Sequence, residues 1–248
     1  MATELTVVCK IGPLRVEIID HIGASMQKQL NVFEALASLT VRNEKDIDEH
    51  LATLFALTLS MKPTNIVELG VRTARSTLAF LAASNIVGSH VTSVDLEIPR
   101  PDFGFPLEWQ QRWTFHHKNA LAFLEEDFPN LKNTWQETKE DYSYYNTNRC
   151  DIIYIDDWHA GDHVEREISL IEDFVTPKDL VILHDLMYDN SQPCYKSVDN
   201  PRDPQWGTGG PYRAISKLDL EKWEYMTIPR CNGLTLLRKK SQTLITED

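Results

Sequence analysis

The chain has 248 residues, 42% of them hydrophobic, and its 37 acidic side chains outnumber 25 basic ones, which gives a formal net charge of −12 at pH 7. This composition suits one large domain with a sizeable core, and the negative charge argues against phosphate-backbone binding, so we expect no nucleic-acid partner. There is no signal-peptide pattern, no apolar run long enough to span a bilayer and no C-x-x-C pair among the four cysteines, so we expect a cytoplasmic protein with reduced thiols and no membrane partner.

The first sixty residues predict a small β-hairpin or arm followed by two helices. Two β-branched stretches between Glu4 and Ile19 are separated by the turn signal Gly12-Pro13. Apolar residues then recur at helical spacing in two segments, Ser25 to Leu39 and Glu44 to Leu59. We assign residues 1–60 to an extension of the main domain. Its helices are candidates for a wall of the substrate pocket, and its arm is a candidate contact in a homo-oligomer.

The stretch from Asn65 to Leu81 predicts a buried strand, a tight loop and the N-terminus of a helix. A short apolar run ends at Glu68, the single glycine Gly70 follows, and polar residues up to Ser76 lead into a helical apolar pattern. Such a junction directs backbone N–H groups and the positive end of the helix dipole at the loop, which suits a polar or anionic ligand. A second β-branched run ends at Asp95. Its distance from Glu68 fits one βαβ unit, which puts both acids at the same sheet edge.

The remaining sequence alternates between strands and helices. We predict strands at Trp113 to His116, in the stretch Asp151 to His159, and at Leu180 to Leu183, Trp223 to Ile228 and Leu234 to Arg238, and helices at Leu107 to Arg112, Ala120 to Glu126, Asp162 to Phe174 and Tyr212 to Leu218. A weaker helical pattern covers Thr134 to Asp141, and Met187 to Gly210 is a long loop. The order predicts an α/β fold with an open, doubly wound, mainly parallel seven-stranded sheet, whose last strand is antiparallel at or near an edge. The core would span residues 61–240, followed by a tail at 241–248.

Four strands are predicted to end in polar side chains at the edge of the sheet where open α/β folds bind ligands. The groups are Glu68 to Ser76, Asp95, Asp156 to His159, and His184-Asp185. Each alone has an ordinary explanation, such as a helix cap or a loop hydrogen bond, so their convergence carries the prediction. A dinucleotide loop needs G-x-G-x-x-G, whereas here Ala74 and Arg75 stand where small residues are required. A nucleoside with an amino-acid tail fits better, with Asp95 accepting hydrogen bonds from the ribose hydroxyls.

The loop sequence VELGVRTARST resembles the first motif of class I S-adenosylmethionine-dependent methyltransferases. It follows the E-x-G-x-x-x-G-x-S-T form of a metal-dependent small-molecule group, with Ala74 in place of the second glycine. That group includes macrolide-sugar O-methyltransferases and cephalosporin-hydroxylase-like proteins. The resemblance continues through VTSVDLE, FHHKNALAFL, YIDDWH and LHD, and so covers roughly residues 65–185. It implies a Rossmann-like methyltransferase fold with S-adenosylmethionine as cofactor.

The resemblance also implies a role for each matching residue. The cofactor residues would be Glu68, Gly70, Arg72, Ser76, Asp95 at the ribose and Asn119 at the adenine edge. Asp156 and Asp185 would bind a divalent cation, with Mg²⁺ the first expectation, and His184 stands where some relatives have an acidic ligand. Because Mg²⁺ prefers oxygen ligands, His184 leaves either its own role or the identity of the metal open. The catalytic residues would be His159, as general base, and Asp156.

These assignments describe a methyltransferase that acts on a small hydroxylated acceptor, such as a sugar or a natural-product intermediate. A cation held by Asp156 and Asp185 would lower the pKa of a substrate hydroxyl, His159 would take its proton, and the alkoxide would attack the sulfonium methyl in line. A second hypothesis is a cofactor-binding accessory protein that has lost methyl transfer, because Ala74, Arg75 and His184 depart from the family pattern. A nicotinamide-dependent oxidoreductase is third, and the missing glycines count against it.

Overall fold

The computed structural model of the protein describes residues 6–11, 14–19, 34, 36–40, 45–101, 107–131, 151–187 and 210–241. The predicted helix at Thr134 to Asp141, nearly all of the loop from Met187 to Gly210 and the tail from residue 242 onward lie outside these ranges. Most of the predicted helix at Ser25 to Leu39 also lies outside them, and residues 36–40 at its end are helical. The division of the chain into an extension, a core and a tail stays a prediction.

The predicted hairpin near the start of the chain is confirmed. Strands β1 (Thr6–Ile11) and β2 (Leu14–Ile19) pair antiparallel as a separate two-stranded sheet. A 3₁₀ turn (Asp46–His50) then leads directly into helix α1 (Leu51–Met61), where the sequence predicted a single helix from Glu44 to Leu59. The helix ends because Lys62 adopts a left-handed conformation with φ 51°.

The main sheet has seven strands, in agreement with the prediction. They are β3 (Asn65–Leu69), β4 (His90–Asp95), β5 (Trp113–His117), β6 (Asp151–Ile155), β7 (Leu180–His184), β8 (Trp223–Ile228) and β9 (Leu234–Lys239). Their order is β5-β4-β3-β6-β7-β9-β8, and β9 runs antiparallel to both of its neighbours. The strand order reverses between β3 and β6, so a ligand crevice is expected at the carboxyl ends of these two strands.

Helices cover both faces of the sheet, as expected for a doubly wound fold. After α1 they are α2 (Arg75–Val87), α3 (Leu107–Gln110), α4 (Ala120–Glu126), α5 (Gly161–Glu172) and α6 (Gly210–Ser216). Alternate residues of β6 point to opposite faces: Tyr154 packs in the cluster with Phe80 of α2, whereas Ile153 packs in the cluster with Ile168 of α5. Within the described ranges, no helix is both long enough and apolar enough to cross a membrane.

The last strand lies inside the sheet, one position from the edge, and it is the more buried strand of the final hairpin. In β9, Leu234 and Leu237 are fully buried. In β8, Trp223 is buried, while Tyr225 and Met226 are exposed. β9 therefore lies between β7 and β8, and the more exposed strand, β8, forms the edge of the sheet.

Candidate active site

The loop after β3 lies directly against the end of β6. The backbone of Gly70 has φ +89°, and a Cβ atom at this position would be 2.2 Å from the carbonyl oxygen of Asp156. Backbone hydrogen bonds fix the approach, because Gly70 N donates to Val94 O at 2.9 Å and Asp156 N donates to Leu69 O at 2.8 Å. Ala74, at the position of the family's second glycine, also has a left-handed backbone with φ 60°. This conformation explains why glycine suits that position.

Glu68 of β3 connects the start of α2 to the sheet through hydrogen bonds. It is fully buried and accepts hydrogen bonds from Ser76 Oγ at 2.6 Å, Thr77 Oγ1 at 2.7 Å and Ser93 Oγ at 2.5 Å. Burial raises the pKa of Glu68 to about 7, although the three hydroxyl groups partly offset that rise. Glu68 therefore shapes the loop through these hydrogen bonds, and its contribution to cofactor binding stays a prediction.

Asp95 and Asn119 both make hydrogen bonds to the backbone. Asp95 Oδ2 accepts hydrogen bonds from Val71 N at 2.7 Å and Arg72 N at 3.0 Å, and its Oδ1 accepts one from Glu97 N at 2.8 Å. Asn119 is exposed and caps α4 by accepting a hydrogen bond from Ala122 N at 3.3 Å. A carboxylate oxygen can accept two hydrogen bonds, so Asp95 keeps capacity for a ribose hydroxyl. The ribose and adenine roles of these two residues stay predictions.

A crevice lies between this loop and the 3₁₀ turn. It encloses about 360 Å³ of empty space, part of it open to solvent. Gly70, Arg72 and Ser76 line one side, and Asp46 of the 3₁₀ turn and Asp156 at the end of β6 also contribute to its lining. The structure thus gives three of the six predicted cofactor residues a common cavity, and it joins that cavity to the first of the predicted metal ligands.

The three predicted metal ligands converge at the ends of β6 and β7. Asp156, His184 and Asp185 each offer one ligand atom, and these atoms lie within 4.8 Å of one another. His184 Nδ1 is 3.3 Å from Asp156 Oδ1 and 3.2 Å from Asp185 Oδ1. His184 Nδ1 thus lies within ion-pair distance of both carboxylates, whereas His184 Nε2 is buried without a hydrogen-bond partner among the described residues. Two carboxylates and an imidazole with unused ligand atoms fit a divalent cation, and the nitrogen favours transition metals over Mg²⁺.

His159 faces the same point as the three ligands. Its Nε2 is 2.9 Å from Asp185 Oδ2 and 3.3 Å from Asp156 Oδ1. Burial would lower the pKa of His159, but the two carboxylates outweigh it and raise the pKa to about 10. For Asp156, burial would raise the pKa, but the charge of His184 and the hydrogen bond from His159 hold it below its ordinary value. Tyr154, which sequence analysis missed, donates its hydroxyl to Asp156 Oδ2 at 2.9 Å.

The residues that hold the 3₁₀ turn against the site were not among the predicted site residues. The guanidinium of Arg75 forms a buried ion pair with Asp48 of that turn. The ring of His50 lies 5.4 Å from that of His184 in an edge-to-face arrangement, and its Nε2 is 2.8 Å from the carbonyl oxygen of Arg230. No local pattern marks these residues, because each contact joins segments far apart in the chain. Arg75, which breaks the glycine-rich pattern, is thus a structural anchor.

Comparisons with known proteins agree with this architecture. Residues 67–186 match a family described as methyltransferase domain, and no curated protein sequence matches the chain. A putative O-methyltransferase from Klebsiella pneumoniae is 14% identical, with 85% of this chain and 90% of that chain covered and a TM-score of 0.54. A Podospora anserina methyltransferase bound to S-adenosylhomocysteine is 12% identical, with 91% and 100% covered and a TM-score of 0.50. A putative caffeoyl-CoA O-methyltransferase from Staphylococcus aureus is 14% identical, with 85% and 100% covered and a TM-score of 0.50. These similarities confirm the predicted fold.

Proposed function

We propose that this chain, which carries a class I S-adenosylmethionine-dependent methyltransferase domain, methylates a hydroxyl group of a small molecule with the help of a divalent cation. One observation carries the proposal. The loop expected to hold the methyl donor and the cluster expected to hold the acceptor adjoin each other, because Gly70 packs directly on the backbone of Asp156.

The crevice beside Gly70, Arg72 and Ser76 would receive the methyl donor. S-adenosylmethionine has a nucleoside, an amino-acid tail and a positively charged sulfonium. Backbone N–H groups at the start of α2 suit the carboxylate of the tail. The acidic groups nearby, including Asp46 and Asp156, suit the cationic part of the molecule.

The cluster at the ends of β6 and β7 would receive the acceptor. Asp156, His184 and Asp185 would hold the cation, which lowers the pKa of a hydroxyl bound to it. The free carboxylates of Asp156 and Asp185 raise the pKa of His159 to about 10 and keep its ring protonated, so His159 would serve as the base at Nε2 only when a cation neutralises them. The acceptor oxygen then forms a bond to the methyl carbon, the carbon–sulfur bond breaks, and neutral S-adenosylhomocysteine leaves. A base in such a position contributes roughly 10²–10⁴-fold to the rate.

Sugars and natural-product intermediates with neighbouring hydroxyl groups are the acceptor class that we favour. Two adjacent hydroxyls can share one cation, which would hold the reacting oxygen in a fixed direction toward the donor methyl. Trp158, between the two acids and His159, is 43% exposed and offers an apolar surface for the carbon face of such a molecule.

A second candidate is an accessory protein that binds the cofactor without transferring its methyl group. The observation in its favour is that Asp95 already accepts hydrogen bonds from three backbone N–H groups, which compete with a ribose. A single set of measurements on the full chain distinguishes the two functions, because binding and turnover are read separately.

The test combines calorimetric titration of S-adenosylmethionine with methyl transfer to a panel of vicinal diols, with and without added Mn²⁺ or Mg²⁺. We expect the Asp95→Asn variant to bind the cofactor at least about tenfold more weakly. We expect Asp185→Asn to bind it within about threefold of the parent protein but to lose transfer by 100-fold or more. Absence of cofactor binding by the parent would refute the proposal. Binding without turnover of any acceptor, with every metal, would favour the accessory protein.

A further inference from the structure

A second group of metal-type ligands lies beside the candidate active site, on helix α5. Asp157 follows β6, and His163 and Glu167 are one helical turn apart on α5. Each offers one ligand atom, and the three atoms lie within 4.8 Å of one another. His163 Nε2 is 3.1 Å from Asp157 Oδ2 and 3.5 Å from Glu167 Oε1. No residue of this group was among the predicted ligands.

Glu167 is the unusual member of the group, because its side chain is fully buried. Within the described residues, neither of its carboxylate oxygens has a hydrogen-bond partner, and Asp157 Oδ1 also lacks one. The Nε2 atom of His163 carries at most one proton, so it cannot donate a full hydrogen bond to both Asp157 and Glu167. A buried carboxylate without such partners is costly, which indicates that a further positive group belongs at this point.

We propose that Asp157, His163 and Glu167 form a second metal site that binds a divalent transition-metal ion, with Zn²⁺ the best match. Tetrahedral ligands around Zn²⁺ at 2.0–2.2 Å lie about 3.3–3.6 Å from one another. The two distances from His163 Nε2, 3.1 and 3.5 Å, are close to these edges. One imidazole and two carboxylates suit Zn²⁺ better than Mg²⁺ or Ca²⁺, and they leave a fourth position for water.

The proposed ion would tie the loop after β6 to helix α5. Asp157 is the direct neighbour of Asp156, and the same loop carries His159. Anchoring Asp157 to two residues of a twelve-residue helix would restrict the backbone on which both of these active-site residues depend. The site is therefore a positioning site for the neighbouring cluster. Its existence does not depend on the proposed methyl transfer, because metal content and thermal stability report it without turnover.

The test uses the 248-residue chain with the Asp185→Asn substitution, which removes one ligand from the cluster of Asp156, His184 and Asp185. After removal of metals with a chelator, the protein is titrated with Zn²⁺ by calorimetry, and its metal content is measured after gel filtration. Addition of Glu167→Gln should remove one equivalent of bound Zn²⁺ and abolish the rise in Tm that Zn²⁺ produces. The metal-free Tm should not fall, since glutamine is neutral and has nearly the same size as the buried side chain that it replaces.

Glu165→Gln is the matched control, because Glu165 lies on the same helix and pairs with Arg213 and Lys217 at the surface. It should leave the Zn²⁺ stoichiometry and the Zn²⁺-induced rise in Tm unchanged. If Glu167→Gln does not fold, His163→Gln carries the test, with binding at least tenfold weaker expected. The proposal is overturned if the Asp185→Asn protein binds no Zn²⁺, or if the Glu167 and His163 variants bind as much Zn²⁺ as Glu165→Gln.

Discussion

At the scale of single residues, the candidate active site depends on how closely two backbones approach. Gly70 approaches the carbonyl group of Asp156 so closely that residue 70 has no room for a side chain between the loop after β3 and the end of β6. Ala74 shows that the loop tolerates a methyl group at its third left-handed position, after Gly70 and Arg72. The single glycine in the loop therefore lies where the contact is tightest. Alanine instead of glycine at position 74 has only a small conformational cost.

Replacement of Gly70 by alanine should be far more damaging than the same change at Gly88. Both residues have φ near +90°, but a Cβ atom at Gly88 meets nothing within 4 Å. Gly88→Ala should therefore cost only the conformational strain, about 1 kcal/mol of the free energy of unfolding. Gly70→Ala adds the clash with Asp156 and should cost at least about 3 kcal/mol. Urea unfolding of the two variants measures the difference, and equal costs would contradict the role of the close approach.

Glu68 should make a pH-dependent contribution to stability. Its pKa rises from 4.5 to about 7 in the folded protein, chiefly through burial, so the folded state keeps a proton that the unfolded chain releases. Between pH 4.5 and 7 the unfolded state binds fewer protons, and stability therefore falls as pH rises. The contribution of Glu68 should drop by about 3 kcal/mol over this interval and stay constant above pH 7.

Glu68→Gln isolates this effect, because glutamine does not titrate. The free energy of unfolding of the parent minus that of the variant should decrease from pH 4.5 to 7 and then level off. Urea unfolding at a series of pH values gives this difference directly. A difference that is independent of pH would show that the buried carboxyl has an ordinary pKa.

At the scale of elements, the 3₁₀ turn before α1 is held against the start of α2 by a buried ion pair. Asp48 forms an ion pair with the guanidinium of Arg75, and it also accepts a hydrogen bond from Lys45 N at 3.0 Å. The 3₁₀ turn also lines the crevice beside the loop after β3. A segment that precedes the family's first motif thus becomes part of the candidate site.

Loss of one partner of this pair should destabilise the protein more than loss of both. Asp48→Ala removes the buried carboxylate that pairs with Arg75, which should cost about 3–5 kcal/mol. Asp48→Leu combined with Arg75→Met replaces the pair with apolar groups and should recover at least half of that loss. Thermal and urea unfolding of the single and double variants test this expectation. A double variant as unstable as Asp48→Ala would show that the pair itself is not the source of the cost.

At the scale of the whole molecule, the sheet gathers residues from distant parts of the chain at one edge. Parallel pairing of β3, β4, β6 and β7 puts their carboxyl ends side by side. Residues from Glu68 to Asp185 can therefore surround one crevice, although more than a hundred positions separate them. The proposed second metal site lies behind this edge, on α5, and would support the loop that both sites share.

The order of strands and helices, the doubly wound fold and the strand ends that carry polar residues could all be predicted from the sequence. This was possible because apolar periodicity and turn residues are local, and because parallel βαβ units leave few ways to arrange the sheet. Helix α4 and strand β8 have the bounds that were predicted.

Which side chains meet could not be predicted and became visible in the folded structure. In the structure, Glu68 is buried in the interior and Asp95 accepts hydrogen bonds from the backbone. Asp48 pairs with Arg75, and Asp157 lies beside His163 and Glu167. The spacing of His163 and Glu167 at i and i+4 was visible on a predicted helix, but Asp157 completes the group only when the loop folds back onto α5. The direction of a side chain depends on packing between segments that lie far apart in the chain, and no local pattern in the sequence records that packing.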